Sequence, residues 1–214
     1  MLKLLFYNDS PSVQILVGEE IMNYLIIGII SYFIGNISFA YILGKLLTNK
    51  DVRDYGSGNA GATNAIRIFG KKIGIMVFVG DVLKGVAAVL LGRSLGGQNG
   101  AYLAGALVII GHNWPVLLSF KGGKGVATTI GVMIFVHPFL TLICVVLGVI
   151  IIIITRTVSM GSIFGMALAP VVAIVFVRPF DLGLFLFCIF IAGMSIFRHK
   201  SNIKRLLEGK ENKL

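Results

Sequence analysis

Four short polar segments of this chain contain residue types that bind phosphate or carry out acid–base chemistry. They combine glycines, whose backbone can approach a ligand closely, with lysine, arginine, histidine, serine and asparagine side chains. In chain order the segments are Gly56–Asn64, Phe120–Gly125, Arg156–Ser162 and Arg198–Ile203. Because cations and free backbone N–H groups bind anions, these segments predict an anion-binding site.

The first segment predicts a phosphate-binding loop that leads into a helix. A helix from near Thr63 to Gly70 would direct the positive end of its dipole at a bound phosphate. The alternative is an ordinary Gly/Asn loop with a helix cap. The candidate site residues here are Gly56, Ser57, Gly58, Asn59, Thr63, Asn64 and Arg67.

The second segment places two lysines among three glycines, but it lacks the spacing of a Walker loop. Its candidate residues are Lys121, Gly122, Gly123 and Lys124. The lysines could instead be anchors at the membrane interface, with their ammonium groups extended to water. His112 and Asn113, shortly before this segment, either orient it or simply pack.

The last two segments each carry a polar pair at helical spacing. His199 and Asn202 would share one face of a helix, although this pair taken alone favours a solvated basic helix that follows the last span. Ser159 and Ser162 repeat the spacing, and there the alternative is close helix packing through small residues. Of this pair, Ser162 is the candidate site residue.

Composition assigns the chain to the membrane proteins. Its 214 residues are 57% hydrophobic and only 13% charged, with a mean hydropathy of +0.94. Long apolar runs without alternation predict an all-α, polytopic membrane helical bundle, not a barrel. Seven transmembrane helices are expected, at 24–46, 73–92, 99–119, 125–136, 138–155, 158–177 and 180–197. The alternative is a count of five or six, in which 125–155 form one long kinked span instead of two.

Charge distribution predicts the orientation of these helices. With the N-terminus outside and the C-terminus cytoplasmic, 15 of the 19 Lys and Arg residues face inward, as the positive-inside rule requires. All four polar segments then share the cytoplasmic face.

Asp81 and Lys84 lie three residues apart within a span, and we interpret them as a structural ion pair. The few inward-facing acids form no cluster that predicts a metal site.

Residues 1–21 differ from the rest of the chain. They carry Asp9, Pro11, Glu19 and Glu20, whereas a clean hydrophobic segment begins at Met22. We expect 22–214 to form a single integral-membrane domain, and 1–21 to be a disordered extension or a misplaced start.

Three blocks of the sequence resemble the bacterial acyl-phosphate:glycerol-3-phosphate acyltransferase family. They are Gly56–Asn64, the stretch from Gly111-His112-Asn113-Trp114-Pro115 to Gly125, and Arg198-His199 with Asn202-Ile203 and Arg205-Leu206. Asp81-x-x-Lys84-Gly85 and Arg156-x-x-Ser159-x-x-Ser162 also fit. The resemblance covers Met22 to about Glu211. It departs at Gly35-Asn36-Ile37-Ser38, where the family usually reads Gly-Ser-Ile-Pro, so this chain lacks the proline that would bend the first helix there.

The resemblance implies transfer of a fatty acyl group from acyl phosphate to the 1-hydroxyl of sn-glycerol 3-phosphate. The products would be lysophosphatidic acid and inorganic phosphate, at the cytoplasmic face of the bacterial inner membrane. No metal or cofactor is implied. Carried onto this chain, the residues implied to line the site are Ser57, Arg67, Lys124, Ser162, His199 and Asn202.

The residues fit this chemistry, because two phosphorylated reactants need cations and N–H groups to offset their repulsion. No covalent nucleophile stands out, so the glycerol hydroxyl would attack directly, and His199 or the donor phosphate would accept its proton. Two alternatives have another function. A membrane carrier for an organic phosphate would use the same basic site, and a lipid-binding scaffold would use the basic loops alone.

Overall fold

The computed structural model describes residues 11–213, and every regular element in that range is helical. This confirms the all-α expectation. The α-helices are α1 (Pro11–Asn36), α2 (Phe39–Thr48), α3 (Ala62–Phe69), α4 (Lys71–Asn113), α5 (Val126–Val136), α6 (Pro138–Thr155), α7 (Val158–Phe176), α8 (Leu182–Arg198) and α9 (Lys200–Leu207). Single 3-10 turns lie at Val52–Asp54 and Val116–Leu118.

The longest helix, α4, joins two of the expected segments. Its 43 residues would extend about 65 Å if straight, roughly twice the hydrocarbon thickness of a bilayer. Gly96 and Gly97 leave the helical region, with Gly97 at φ 58°. A Cβ on Gly92 would overlap the backbone of Gly100, so the two arms of α4 pack closely against each other beyond the glycine kink.

Length and hydropathy identify fewer membrane crossings than the seven expected. Four helical stretches are long and apolar enough, and the α8–α9 pair, bent by 61°, would be a fifth. Both arms of α4 belong to one of these stretches, and α5 has only 11 residues. The four stretches are Gly18–Thr48, Lys71–Leu118, Pro138–Thr155 and Val158–Phe176.

The first membrane span is interrupted, although this chain has Ser38 where the resembled family usually has a helix-breaking proline. α1 ends at Asn36, and α2 begins at Phe39. The Ser38 hydroxyl accepts a hydrogen bond from the backbone N–H of Tyr41 at 3.3 Å, which makes Ser38 the N-cap of α2. Ser38 therefore caps the start of α2. It does so at the position where proline would interrupt the helix in the family.

Another predicted break occurs at His137. α5 ends there with ψ 86°, and Pro138 opens α6 as its first residue. The His137 ring accepts a hydrogen bond from the N–H of Leu140 at 3.2 Å. Residues 125–155 are therefore two helices, one of the two arrangements that the sequence left open.

The helices of the second half pack around one apolar core. α4, α5, α6, α7 and α8 meet there in sequential pairs, and α4 also contacts α1 and α3. Large apolar side chains are exposed along the outer faces, with Ile153 at 70% and Ile29 at 60%. Such a surface suits lipid rather than water.

The N-terminal prediction concerns residues that the structure describes only in part. Residues 1–10 lie outside the described range, and 11–21 form the beginning of α1. The idea that 1–21 are an extension to a domain of 22–214 stays a prediction.

Candidate active site

A cavity of about 510 Å³ lies between α3, α4, α5, α6, α7 and the α8–α9 junction. One end is polar and is lined by Arg67, Lys124, His199 and Asn202. The other end is apolar, formed by side chains of α5, α6 and α7. It includes Met133, Leu140, Cys144, Val149, Ile152, Met166 and Ala169.

Three helices begin at this cavity, and none of them has a side-chain hydrogen bond at its N-cap. They are α3 after Gly61, α5 after Gly125 and α7 after Thr157. The first backbone N–H groups of a helix have no partner within the helix, so they are available to a ligand. The start of α3 near Thr63 and its end at Gly70 confirm the sequence prediction. Together the three helix starts form a favourable environment for anions.

The loop before α3 is organised by Asn64. Its side-chain oxygen accepts from the N–H of Ser57 at 3.0 Å. Its side-chain nitrogen donates to the carbonyl oxygens of Val52, Tyr55 and Asn59 at 3.0–3.2 Å. Asn64 therefore shapes the loop and has no donor left for a substrate. Ser57 and Arg67, by contrast, are exposed at the cavity.

The Lys121–Gly125 loop is held at Gly123 from two sides. The Gly123 N–H donates to the carbonyl oxygen of His112 at 3.2 Å. The Gly123 carbonyl accepts from the Arg198 guanidinium at 2.6 and 3.1 Å, and that guanidinium lies 4.9 Å from the ring centroid of Trp114. The ends of α4 and α8 thus fix the peptide next to Lys124.

Lys124 belongs to a chain of polar contacts that reaches the C-terminal tail. Its ammonium group donates to the side-chain oxygen of Asn202. The Asn202 side-chain nitrogen donates to Glu211 at 2.6 Å, and Glu211 also accepts from Ser159 at 3.1 Å and from Arg205 at 2.7 Å.

These surroundings shift two ionisation equilibria. Burial lowers the pKa of Lys124 to about 8; Glu211 opposes this change, whereas Arg205, Arg67 and Arg198 reinforce it. For Glu211, burial alone would raise the pKa, but hydrogen bonds from Arg205, Asn202 and Ser159 outweigh it and hold the pKa below its usual value. Glu211 is therefore ionised at neutral pH, when Lys124 is mostly cationic.

His199 and Ser162 complete the polar end. His199 is 2% exposed, and its Nδ1 lies 2.8 Å from the carbonyl oxygen of Ser195. Because a carbonyl can only accept, Nδ1 carries the hydrogen, and Nε2 has the lone pair when the ring is neutral. The Ser162 hydroxyl donates to the carbonyl of Val158 at 2.9 Å, so its oxygen can still accept.

The structure brings nine of the fourteen predicted site residues to the cavity. They are Ser57, Asn59, Thr63, Asn64, Arg67, Lys124, Ser162, His199 and Asn202. The other five do not line it. Gly56 packs against the Asn64 side chain, Gly58 lies at φ 69°, Gly122 and Gly123 pack against His112, and Lys121 is exposed.

Sequence reasoning missed Glu211 and its partner Arg205 as contributors to the site. In the sequence, Glu211 is one of only a few inward-facing acids, which form no cluster. A signal was present, since an acid beyond a block of basic residues often pairs with it.

No three His, Cys, Asp or Glu side chains among residues 11–213 gather into a group that could hold a metal ion.

Comparison with known proteins yields consistent matches along most of the chain. The family model for glycerol-3-phosphate acyltransferase matches residues 25–209. A glycerol-3-phosphate acyltransferase of Thermoanaerobacter sp. (strain X514) is 50% identical over 186 residues, which are 87% of this chain and 93% of the relative. One from Clostridioides difficile (strain 630) is 43% identical over 201 residues, covering 91% and 97%.

The fold also matches a solved structure. The crystal structure of PlsY (YgiH), an integral membrane glycerol 3-phosphate acyltransferase, in its glycerol 3-phosphate form has a TM-score of 0.82 to this chain. It is 37% identical, and the match covers 89% of this chain and 95% of that one.

Proposed function

Because this chain belongs to the glycerol-3-phosphate acyltransferase family, we propose that it transfers a fatty acyl group from acyl phosphate to sn-glycerol 3-phosphate. The 1-hydroxyl oxygen bonds to the acyl carbon, and the bond from that carbon to the phosphate oxygen breaks. The products are lysophosphatidic acid and inorganic phosphate, and the hydroxyl proton is transferred to that phosphate, either directly or through His199. This reaction belongs to phospholipid biosynthesis.

The single observation that supports this proposal best is the two-ended cavity. Its polar end offers the cations Lys124 and Arg67 together with three uncapped helix starts. Its apolar end offers aliphatic side chains between α5, α6 and α7. Two phosphate groups fit the first end and a fatty acyl chain fits the second, so both reactants are accommodated in one site.

Individual roles follow from position. Lys124 and Arg67 counter the charge of the two phosphates, while Ser57 and the start of α3 cradle one of them. His199, Asn202 and Ser162 orient glycerol phosphate. The remaining predicted glycines shape the two loops.

Direct attack by the glycerol hydroxyl fits the lining of the cavity. Acyl phosphate is already activated, so positioning and charge stabilisation provide most of the catalysis. The donor phosphate or His199 Nε2 accepts the proton. Neither a metal ion nor a cofactor enters this scheme.

We further infer that the protein crosses the bacterial inner membrane seven times, with the N-terminus outside and the active site cytoplasmic. The glycine kink supports two crossings for α4, and α5 and α6 are separate helices. Accessibility labelling of single cysteines tests this topology, since positions 121 and 210 must both react from the cytoplasm.

The decisive experiment supplies purified protein with palmitoyl phosphate and glycerol 3-phosphate. Stoichiometric release of inorganic phosphate and lysophosphatidic acid supports the proposal. Turnover with palmitoyl-CoA but not palmitoyl phosphate would overturn the proposed donor. Labelled glycerol 3-phosphate that enters sealed vesicles unmodified, with no acyl product, would identify a carrier instead.

A further inference from the structure

The His112 side chain lines the cavity and contacts a buried ion pair, Asp81 and Lys84. His112 is 5% exposed, yet it lines the cavity together with Lys124 and Asp81. Its Nε2 occupies the position where a side chain of Gly123 would be, because a Cβ on that glycine would overlap it. Nδ1 points the other way, toward Lys84.

Lys84 has three ammonium hydrogens and four acceptors within reach, three of which form aligned hydrogen bonds with it. Its Nζ lies 3.2 Å from the carbonyl oxygen of Gly35 and 2.7 Å from that of Ile37, at the break between α1 and α2. The third acceptor is Nδ1 of His112 at 2.8 Å. These acceptors use all three hydrogens.

Asp81 provides charge rather than a hydrogen-bond acceptor for this group. Its Oδ1 lies 2.8 Å from the Lys84 ammonium, but no aligned hydrogen bond forms with it. The same oxygen is 3.5 Å from Nδ1 of His112, too far for a good hydrogen bond. The shorter contact therefore decides the role of Nδ1, which accepts from Lys84.

This geometry favours one tautomer of His112. If Nδ1 accepts, the ring is neutral, and its single hydrogen is on Nε2. Of the His112 ring nitrogens, only Nδ1 forms a hydrogen bond among the residues that the structure describes. A neutral N–H donor thus stands at the cavity wall, next to the loop that carries Lys124.

We propose that His112 is a further catalytic residue, whose Nε2–H donates to the carbonyl oxygen of the acyl donor. Lys84 and Asp81 are positioning residues that hold its tautomer. The inference rests on the proposed function, since only acyl transfer creates charge on such an oxygen.

The carbonyl group explains why a neutral donor is suitable here. It joins the phosphate to the acyl chain, so its oxygen lies between the cationic and apolar ends of the cavity. When the glycerol hydroxyl attacks, the carbonyl oxygen gains negative charge, which a fixed donor stabilises. When the bond to phosphate breaks, the carbonyl re-forms, and the proton leaves with the phosphate.

The kinetic test compares two variants at His112. His112→Phe keeps a ring but removes the donor, so kcat falls about 10²–10³-fold while KM for both substrates stays nearly constant. His112→Gln restores a donor close to the Nε2 position and recovers about tenfold of that loss. Both variants keep the backbone carbonyl that holds Gly123. The matched control is His137→Asn, which keeps wild-type rates because His137 does not line the cavity and asparagine can replace its cap on α6.

The outcomes separate this inference from the proposed function. Wild-type protein that releases no phosphate from palmitoyl phosphate refutes the function itself. Active wild-type protein with an unchanged kcat in His112→Phe, or with only a raised KM, refutes the role of His112.

Nitrogen-15 NMR of histidine-labelled protein provides a second test that does not depend on any variant at His112. The chain has only three histidines, so His137→Asn and His199→Gln assign the spectrum. We expect His112 to be neutral with its hydrogen on Nε2, and Lys84→Met to allow both tautomers. A hydrogen on Nδ1 in the wild-type protein would overturn the proposal.

Discussion

The Lys124 ammonium group donates a hydrogen bond to the side-chain oxygen of Asn202, 78 residues later in the chain. The contact joins the glycine-rich loop before α5 to the first turn of α9. The same amide donates to Glu211 at 2.6 Å. The main cation of the site is therefore oriented by a tail that follows the last long helix.

Replacing Lys124 should remove most of the activity. Lys124→Met keeps the length of the side chain but deletes its positive charge. The repulsion between the two phosphates is then no longer offset. We expect kcat/KM to fall by about 10³-fold in the phosphate-release assay, the upper range for loss of one electrostatic contact.

Lys72→Met is the matched control, because Lys72 is exposed and does not line the cavity. Its activity should stay within about twofold of the wild type, since exposed charges contribute little. Near-normal turnover in Lys124→Met would remove this lysine from the mechanism.

The activity should depend on pH through Lys124. Because burial lowers its pKa to about 8, the cationic form is lost as the pH rises through that value. We expect kcat/KM, which reports the free enzyme, to decline above about pH 8.

The variant Glu211→Gln tests the assignment of this titration. Glu211 raises the pKa of Lys124 by its negative charge, so neutralising it must lower that pKa further. The alkaline limb of the pH–rate profile should move to lower pH. A shift to higher pH, or none, would contradict the assignment to Lys124.

Removing the Glu211 side chain should also destabilise the protein. Its carboxylate, 6% exposed, accepts hydrogen bonds from Ser159, Asn202 and Arg205, and such bonds to a charged group stabilise by about 1.5–3 kcal/mol each. Glu211→Ala should lower the thermal unfolding midpoint in detergent. Because folding depresses its pKa, this stabilisation is lost as the pH falls through the folded-state pKa.

Glu208→Ala provides the comparison for Glu211→Ala. Glu208 has only Lys210 as an ion-pair partner, at 3.5 Å, and its side chain is 41% exposed. Its loss should change the stability by less than about 0.5 kcal/mol. Equal effects of the two substitutions would show that the Glu211 contacts are not stabilising.

The apolar end of the cavity should limit the length of the acyl chain that the protein accepts. Ala169 lines it and is 4% exposed, so Ala169→Leu shortens the available space. We expect kcat/KM to fall about 10–200-fold for palmitoyl phosphate, but much less for a shorter acyl phosphate.

Ala167→Leu makes the same change two residues earlier on α7, at a position that does not line the cavity. It should leave the ratio between long and short donors unchanged. If both variants shift the ratio equally, the effect comes from helix packing, and the acyl chain lies elsewhere.

Several features of this protein could be predicted from local sequence. Apolar runs indicated membrane helices, Gly70 marked the end of α3, and Pro138 marked the start of α6. These are local effects, because a helix end depends on a few neighbouring residues. The spacing of His199 and Asn202 similarly placed both at the cavity.

Other features depended on contacts between distant residues. Nothing local indicates that Asn64 uses its whole amide to shape a loop, or that Arg198 holds the carbonyl of Gly123. The long α4 has a kink at Gly96 and Gly97 and so extends over two expected spans.

Residue types and spacing determined that this chain is a helical membrane protein, and they predicted which segments bind phosphate. Only the tertiary structure decided that Glu211 joins Lys124 through Asn202, and that Lys84 connects the break after α1 to His112. The physical reason is that burial leaves each polar group in need of a partner, and only the packed helices determine which one it finds.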